Sequence, residues 1–476
     1  MSSDEGSRPG ALRLPPPTAT QVQAHRFAVR RLESALVGRD PTPRHDPGRR
    51  QHRALLVGAV LGVLALVGFA VVGLVRGDEG WRDEAVVRGE PSGALYAVAH
   101  GPDRLVPALN LTSARLLAAA AGNTPGDGGL LDPPVPVRDD ALAEAPRTAP
   151  AGIPGAPSVL PDPGAPIPDA WAVCDRAVLD PSVPDPSADP ALTTVVLGGL
   201  PAPGRPLAPD EALLLRSPDG TFWLVTGGRR ALITPQAGAV VRGLELTGAR
   251  ARVASPALLG TLPQAPALEP VTVPGTGTTP TEPRTAALGV TVGSVVSPDG
   301  ARFFLVAAGG VQEVPPVVAQ LARFANPDPA ADPGIAAVPA GRLADAPRVT
   351  VVDADAYPAT FPRPVTYDAA TTVCVRPDVS GAATVFAAAS LPGPAAPTPL
   401  AGPPLDGAWV AGGGTYVVTP GGPAALVDPG GRVFAVPDPA AASALGLGVP
   451  RPAPRSVLDL LPRGPALDPL AAQAAR

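Results

Sequence analysis

The sequence predicts an α+β membrane protein: one membrane-spanning helix, then a large β-rich external region with a quasi-twofold core and four small strand–strand–helix repeats. Three observations carry that reading. Ala54 to Val75 holds no charged, amide or hydroxyl side chain. Two identical Ser-Pro-Asp-Gly turns, at Ser217–Gly220 and Ser297–Gly300, each open a strand-like run. The only two cysteines, Cys174 and Cys374, stand in matching contexts, Ala172-Val173-Cys174 and Thr372-Val373-Cys374.

As a helix the 22 residues of the apolar run span about 33 Å, enough for the roughly 30 Å hydrocarbon core of a bilayer. Arg26, Arg30, Arg31, Arg39, Arg44, Arg49, Arg50 and Arg53 precede it without a matching set of acids, whereas Arg76, Arg82 and Arg88 after it alternate with Asp78, Glu79, Asp83, Glu84 and Glu90. The positive-inside rule then places residues 1–53 in the cytoplasm, 54–75 in the membrane and 76–476 outside. A cleavable signal peptide would have a shorter apolar core and a shorter leader. Within the run Gly58, Gly62 and Ala65 share one face, a pattern that lets another helix approach closely.

Before the membrane, residues from Thr20 to Gly38 show helical patterning, with Thr20 as the expected N-cap. Val22, Phe27, Ala28, Leu32, Ala35 and Leu36 are read as one apolar side, with Arg26, Arg30, Arg31 and Glu33 elsewhere. Such a basic amphipathic helix suits anionic lipid or a partner protein. Arg26, Phe27, Arg30, Arg31 and Leu32 are the expected contact residues.

Composition excludes several function classes. The net charge is −5, which gives nucleic acid no footprint. All 37 basic residues are arginine, so the chain has no Walker A lysine, Schiff-base lysine or lysine base. Beyond residue 100 there is no histidine, which rules out a histidine triad or multi-histidine zinc site there. No cofactor or metal is expected. Proline and glycine number 68 and 53, near the level of a disordered chain, yet 45% of residues are apolar, so a core fits between long irregular connections.

An external location permits a disulfide. A Cys174–Cys374 bond is expected, with two buried free thiols as the alternative. The repeats are read at 93–120, 217–248, 297–325 and 412–447, each as strand, turn, strand, helix. The spacings suggest duplication of a larger half: Gly93 to Gly300, Cys174 to Cys374 and Gly220 to Gly414 all lie near 200 residues. Both cysteine segments, around 150–200 and 350–385, would build the central core. Proline-rich stretches near 124–168, 262–287 and 388–404 are read as linkers or coverings, and 448–476 as a C-terminal segment.

Three local patterns are weighed and set aside. Gly275-Thr276-Gly277 opens like a dinucleotide fingerprint but lacks the third glycine and a preceding strand. Asp353 and Asp355 would share a strand face and could form an acid/base pair, against a solvated strand end. Asn110-Leu111-Thr112 matches a glycosylation sequon. Trp171, Trp223 and Trp409 are read as core anchors.

Several segments in order resemble one family. These are AHRFAVRRLESALVGRD (24–40), HDPGRRQHRAL (45–55), SGALYAV (92–98), LNLTSARLL (109–117), GIPGAP (152–157), WAVCD (171–175) and VLDLLPRGPAL (457–467). They resemble EccB, the B component of the actinobacterial type VII (ESX) secretion membrane complex. The resemblance implies a structural subunit of the inner membrane, assembled with an EccC-type ATPase, EccD, EccE and a mycosin-type protease, and self-associating there. It also implies an external body with a disulfide-linked core and four repeats. Some family members are labelled ATP hydrolases; without a lysine this chain departs from any P-loop requirement, and no enzyme activity is expected. A cell-wall polymer binding module is the alternative reading.

Overall fold

The computed structural model describes residues 18–38, 47–75, 80–124, 130–161, 170–200, 202–234, 238–325, 334–393, 397–401 and 404–474. It divides into two compact units, Met1–Gly80 and Trp81–Arg476.

The first unit holds two helices. Helix α1 spans Ala19–Gly38. It begins one residue before the expected cap, and the capping residue is Thr18. Gln21 N–H donates to Thr18 Oγ1 at 3.4 Å, and Thr18 N–H donates to Gln21 Oε1 at 3.0 Å. This reciprocal pair satisfies two orphan donors at once, which an isolated Thr20 cap would not. Helix α2 spans Pro47–Val75. It starts ahead of the apolar run, with Pro47 at the first helical position, where a missing N–H costs nothing. It contains the one described segment long and apolar enough to cross a membrane, His52–Phe69, with mean hydropathy 2.0 and every side chain exposed.

The second unit is built from five sheets. Repeat 1 begins with strands β1 (Val86–Glu90), β2 (Leu95–Ala99) and β3 (Arg104–Ala108). Helix α3 (Leu111–Ala120) follows, and strand β4 (Val135–Arg138) returns parallel to β1. The sheet order is therefore β3-β2-β1-β4. The other three repeats have the same order. Repeat 2 uses Glu211–Arg216, Phe222–Thr226, Arg229–Ile233, helix Gly238–Gly243 and Arg252–Val253. Repeat 3 uses Val295–Ser297, Phe303–Ala307, Gly310–Val314, helix Pro316–Arg323 and Ala336–Ala337. Repeat 4 uses Thr415–Val418, Ala424–Val427, Val433–Ala435, helix Pro439–Ala444 and Arg451–Pro452. The sheets of repeats 1–3 thus have one more strand at the start and one more at the end than the strand–strand–helix pattern expected from sequence, and that of repeat 4 has one more in the middle and one more at the end. The added strands are short or lack alternation, so periodicity does not reveal them.

The sheets also correct the reading of repeat 4. The turn of repeat 4, read from the sequence as an extended one between Gly414–Val418 and Arg432–Val436, contains the strand Ala424–Val427. The counterpart of the Ser-Pro-Asp-Gly turn is Thr419-Pro420-Gly421-Gly422, where Gly422 N–H donates to Thr419 O at 3.0 Å. All four repeats then share X-Pro-X-Gly between the first two strands, beginning with Glu90-Pro91-Ser92-Gly93. Gly93, Gly220 and Gly300 have positive φ there, which glycine adopts without steric cost, and in repeat 4 the positive φ falls one residue earlier, at Gly421.

A further strip closes each repeat. After a short second helix comes an Ala/Leu-Pro-Arg/Gln step: Pro146, Pro263, Pro347 and Pro462. Each proline carbonyl accepts an N–H from the repeat's third strand, from Leu105, Arg230, Val311 and Val433, at 2.8, 3.0, 2.8 and 2.9 Å. The strip runs parallel to that strand and covers its open edge. Two of these strips lie inside stretches expected to be linkers. Proline hides them from sequence reading, because it argues against a strand interior yet suits an edge.

The central sheet interleaves the halves. Its order is Thr398–Pro399, Gly407–Val410, Ala191–Gly198, Trp171–Val178, Thr372–Pro377, Ala383–Ala388, Arg205–Pro206. Strands of the second half flank those of the first, and the reverse. Cys174 faces Cys374 across the central antiparallel pair, and the two form a disulfide with Cα atoms 4.0 Å apart.

Around this sheet the repeats pack in two pairs. Leu116 and Leu117 of repeat 1 share a core with Phe434 and Leu445 of repeat 4. Leu244 and Leu246 after the repeat 2 helix share one with Val317 and Leu321 of repeat 3. Trp171 is 3% exposed in the central core, while Trp223 and Trp409 are only partly buried against core clusters. Trp81 is a fourth anchor, 2% exposed.

Candidate functional site

The candidate contact residues lie on the two N-terminal helices. Every described side chain of α1 is exposed or half-exposed. At 100° per residue, Val22, Val29, Leu32 and Leu36 line one face, with Leu32 and Leu36 63% and 82% exposed. Phe27 is five residues from both Val22 and Leu32, about 140° around the helix, so it does not join that stripe. It lies on the flank of Arg30 and Arg31 instead. On α2, Gly58, Gly62 and Ala65 are exposed, and a Cβ at either glycine would meet nothing within 4 Å.

In the second unit the disulfide adjoins a buried polar cluster that the sequence reading missed. Asp175, next to Cys174, is 5% exposed. Its carboxylate accepts the hydroxyls of Thr194 and Ser255 at 2.8 and 2.7 Å and the Ser255 N–H at 2.7 Å. Burial pushes its pKa up, and the Ser255 and Thr194 hydrogen bonds pull the other way. Arg252, 4% exposed, stacks on the Tyr367 ring with its guanidinium carbon 4.1 Å from the centroid. The Tyr367 hydroxyl accepts the Val253 N–H at 3.0 Å. One signal was visible in the sequence: Val375 occupies the place in the second half that Asp175 occupies in the first.

The other patterns resolve into structural roles. Asn110 caps α3: its amide oxygen accepts the Ser113 N–H, and its Nδ2 donates to Ile153 O at 2.9 Å. Asn110 is 7% exposed, so the sequon nitrogen is engaged and buried. Asp353 and Asp355 are not on a strand. Asp353 starts the short helical turn Ala354–Ala356, accepting the Asp355 N–H at 3.2 Å, and both side chains are exposed. Thr276 and Gly277 line a cleft of about 540 Å³ in which Arg323 is the only charged lining residue among the described residues. Among the described residues, a groove of about 630 Å³ on repeat 4 has Tyr416 as its only titratable lining residue. Neither brings a nucleophile to a base. Among the described residues no three His, Cys, Asp or Glu side chains cluster to hold a metal.

A family model described as type VII secretion system ESX-1, transport TM domain B, matches residues 15–476. The chain belongs to the EccB family. It is 34% identical over 349 residues to a protein named ESX-2 secretion system ATPase EccB2 from Mycobacterium tuberculosis (strain ATCC 25618 / H37Rv). That match covers 71% of this chain and 65% of the relative, a little under two-thirds of its length. A protein named ESX-3 secretion system ATPase EccB3 from Mycolicibacterium smegmatis is 32% identical over 490 residues, covering 94% of this chain and 89% of the relative. Among solved structures, a chain of an intact ESX-5 inner membrane complex superposes with TM-score 0.67 and 28% identity, covering 98% of this chain and 96% of that one. An EccB3 dimer from the ESX-3 core complex gives TM-score 0.65 at 28% identity, covering 82% of this chain and 100% of that one. The EccB-family chains in these structures are subunits of membrane complexes, and one of them self-associates.

Proposed function

We propose that this EccB-family chain is a structural subunit of a type VII secretion membrane complex, anchoring cytoplasmic motor components to an external assembly. The observation that carries the reading is the match, over nearly the whole chain, to a subunit of the ESX-5 inner membrane complex. The arginine asymmetry about α2 supports a cytoplasmic N-terminus and an external second unit. A buried disulfide fits an oxidising compartment on that side.

In this reading α1 meets a cytoplasmic subunit of the EccC-type ATPase or EccD kind through Arg26, Arg30, Arg31 and Leu32, with Phe27 gripping from the flank. Membrane lipid surrounds α2, and Gly58, Gly62 and Ala65 pack against a neighbouring helix. EccE, a mycosin-type protease and a second copy of the chain complete the assembly. The chain itself is not the motor. The word ATPase in its relatives' names does not carry over, because there is no lysine to hold the β- and γ-phosphates of a P-loop nucleotide.

The test is gentle detergent extraction of a C-terminally tagged chain from its host, followed by native sizing and mass spectrometry. A large assembly containing an EccC-type ATPase and EccD is the expected result. A lone monomer or homodimer, under conditions that keep other complexes intact, overturns it. Reversing Arg26, Arg30 and Arg31 to glutamate is expected to release the cytoplasmic partner and leave the membrane-embedded ones attached.

A further inference from the structure

Asp175 and Arg252 mark a place where the internal twofold is broken. In the central sheet Asp175 lies opposite Val373, and Val375 lies opposite Val173. Three of these four flanking positions are therefore valine, and the fourth is a carboxylate. Arg252 opens the last strand of repeat 2 and is 4% exposed, whereas Arg451 opens the same strand of repeat 4 and is exposed. One side of the molecule thus fills this junction with apolar side chains. The other side brings two opposite charges into it, and packing alone does not call for them.

The two charges make no direct ion pair. Arg252 Nη1 is buried and has no hydrogen-bond partner. A guanidinium stays charged and carries five donors, and a buried charged donor left unpaired is costly. The Asp175 carboxylate offers about four acceptor sites and uses three, for Thr194 and Ser255. Arg252, Asp175, Tyr367 and Thr371 all line one small, partly open pocket with about 10 Å³ of room. By this measure a single water needs roughly 10–15 Å³. The space is too small for an organic ligand, and the adjoining carboxylate repels an anion.

We propose that this cavity is a binding site for one structural water, which accepts a hydrogen bond from Arg252 Nη1 and donates one to Asp175. Tyr367 supplies the third partner: its oxygen already accepts from Val253, so its own proton is left to donate. Three bonds are usual for a buried water. The water adds a shared bridge between three parts of the second unit that already meet through the Ser255–Asp175 and Val253–Tyr367 hydrogen bonds. These are the cysteine strand of the first half, repeat 2, and the segment leading into the cysteine strand of the second half.

The test is an experimental structure of the full chain at a resolution that shows ordered water. The expected result is one oxygen within hydrogen-bonding distance of both Arg252 Nη1 and an Asp175 carboxylate oxygen. A dry cavity, or an Arg252 side chain turned to pair directly with Asp175, overturns the proposal. In R252M the oxygen is expected to disappear, and its persistence at full occupancy would show that Arg252 does not anchor it. If R252M does not fold, the wild-type density decides alone, and Y367F, which keeps the ring but not the hydroxyl, should retain the water with one bond fewer.

Discussion

Gly243→Ala probes how repeats 2 and 3 are joined. Gly243 ends the helix Gly238–Gly243, which packs on the helix Pro316–Arg323. A Cβ placed on it would lie 2.8 Å from Leu321 Cδ2, 3.0 Å from Leu321 Cα and 3.2 Å from Leu321 N. The side-chain carbon can rotate away, but the two backbone atoms belong to a helix and cannot. Two effects then oppose each other. Alanine is favoured over glycine in a helix by up to about 1 kcal/mol, and by less at the last residue. Forcing the helices apart costs about 1–3 kcal/mol. The contact wins, and a net loss of about 1–2 kcal/mol is expected. Gly341, in the helix Ala340–Asp345, is the control, since a Cβ there meets nothing within 4 Å. G341A should be neutral or stabilising by up to about 1 kcal/mol. Urea unfolding of residues 81–476, followed by tryptophan fluorescence, measures both. If G243A is as stable as wild type, the close helix contact does not exist in solution and the pairing of repeats 2 and 3 described above is wrong.

Three further outcomes are expected. Replacing Cys174 and Cys374 with alanine opens a loop of sequence separation 200, and the loop-entropy relation puts the loss near 5 kcal/mol as an upper figure; unfolding with and without reductant should differ correspondingly. Asn110→Ala removes the cap of α3 and leaves the buried Ile153 carbonyl without its donor, for a loss of about 1–2 kcal/mol in the same urea assay; an unchanged midpoint would contradict the capping geometry. Asp299 has its pKa held down at about 2, first by the Arg302 and Ala301 N–H groups. Because the folded value lies below the unfolded one, its contribution is present above about pH 4 and is lost as pH falls toward 2. The acid limb of thermal stability should therefore be shallower in D299N, and an identical limb would count against that carboxylate.

How much of this was legible depends on what each segment shows in one dimension. The long apolar helix, the Ser-Pro-Asp-Gly hairpins and the near-200-residue duplication follow from local residue types. Repeat 4 was misread because Ala424–Val427 carries little β-branching and lies between Gly422-Pro423 and Pro429-Gly430, so a strand passes for a turn. The proline strips were invisible because their pairing is to a strand far back in the chain. Phe27 was assigned to the wrong face of α1 by proximity in sequence rather than by angle. Asp353 and Asp355 fall in a helical turn because a cap, which single residues decide, overrides the extended reading of Val351-Val352. Asp175 and Arg252 are 77 residues apart, and only folding brings them to one cavity.

The interleaved order of the central sheet also bears on how the chain is made. The strand Ala191–Gly198 has its outer neighbour in Gly407–Val410, and Arg205–Pro206 has its neighbour in Ala383–Ala388. The first half is therefore left with an unfilled edge until the strand Gly407–Val410 of the second half has been synthesised. At about 5–20 residues per second, Cys374 follows Cys174 by roughly 10–40 s. Throughout that interval a lone thiol and a bare strand wait together, open to any other partner.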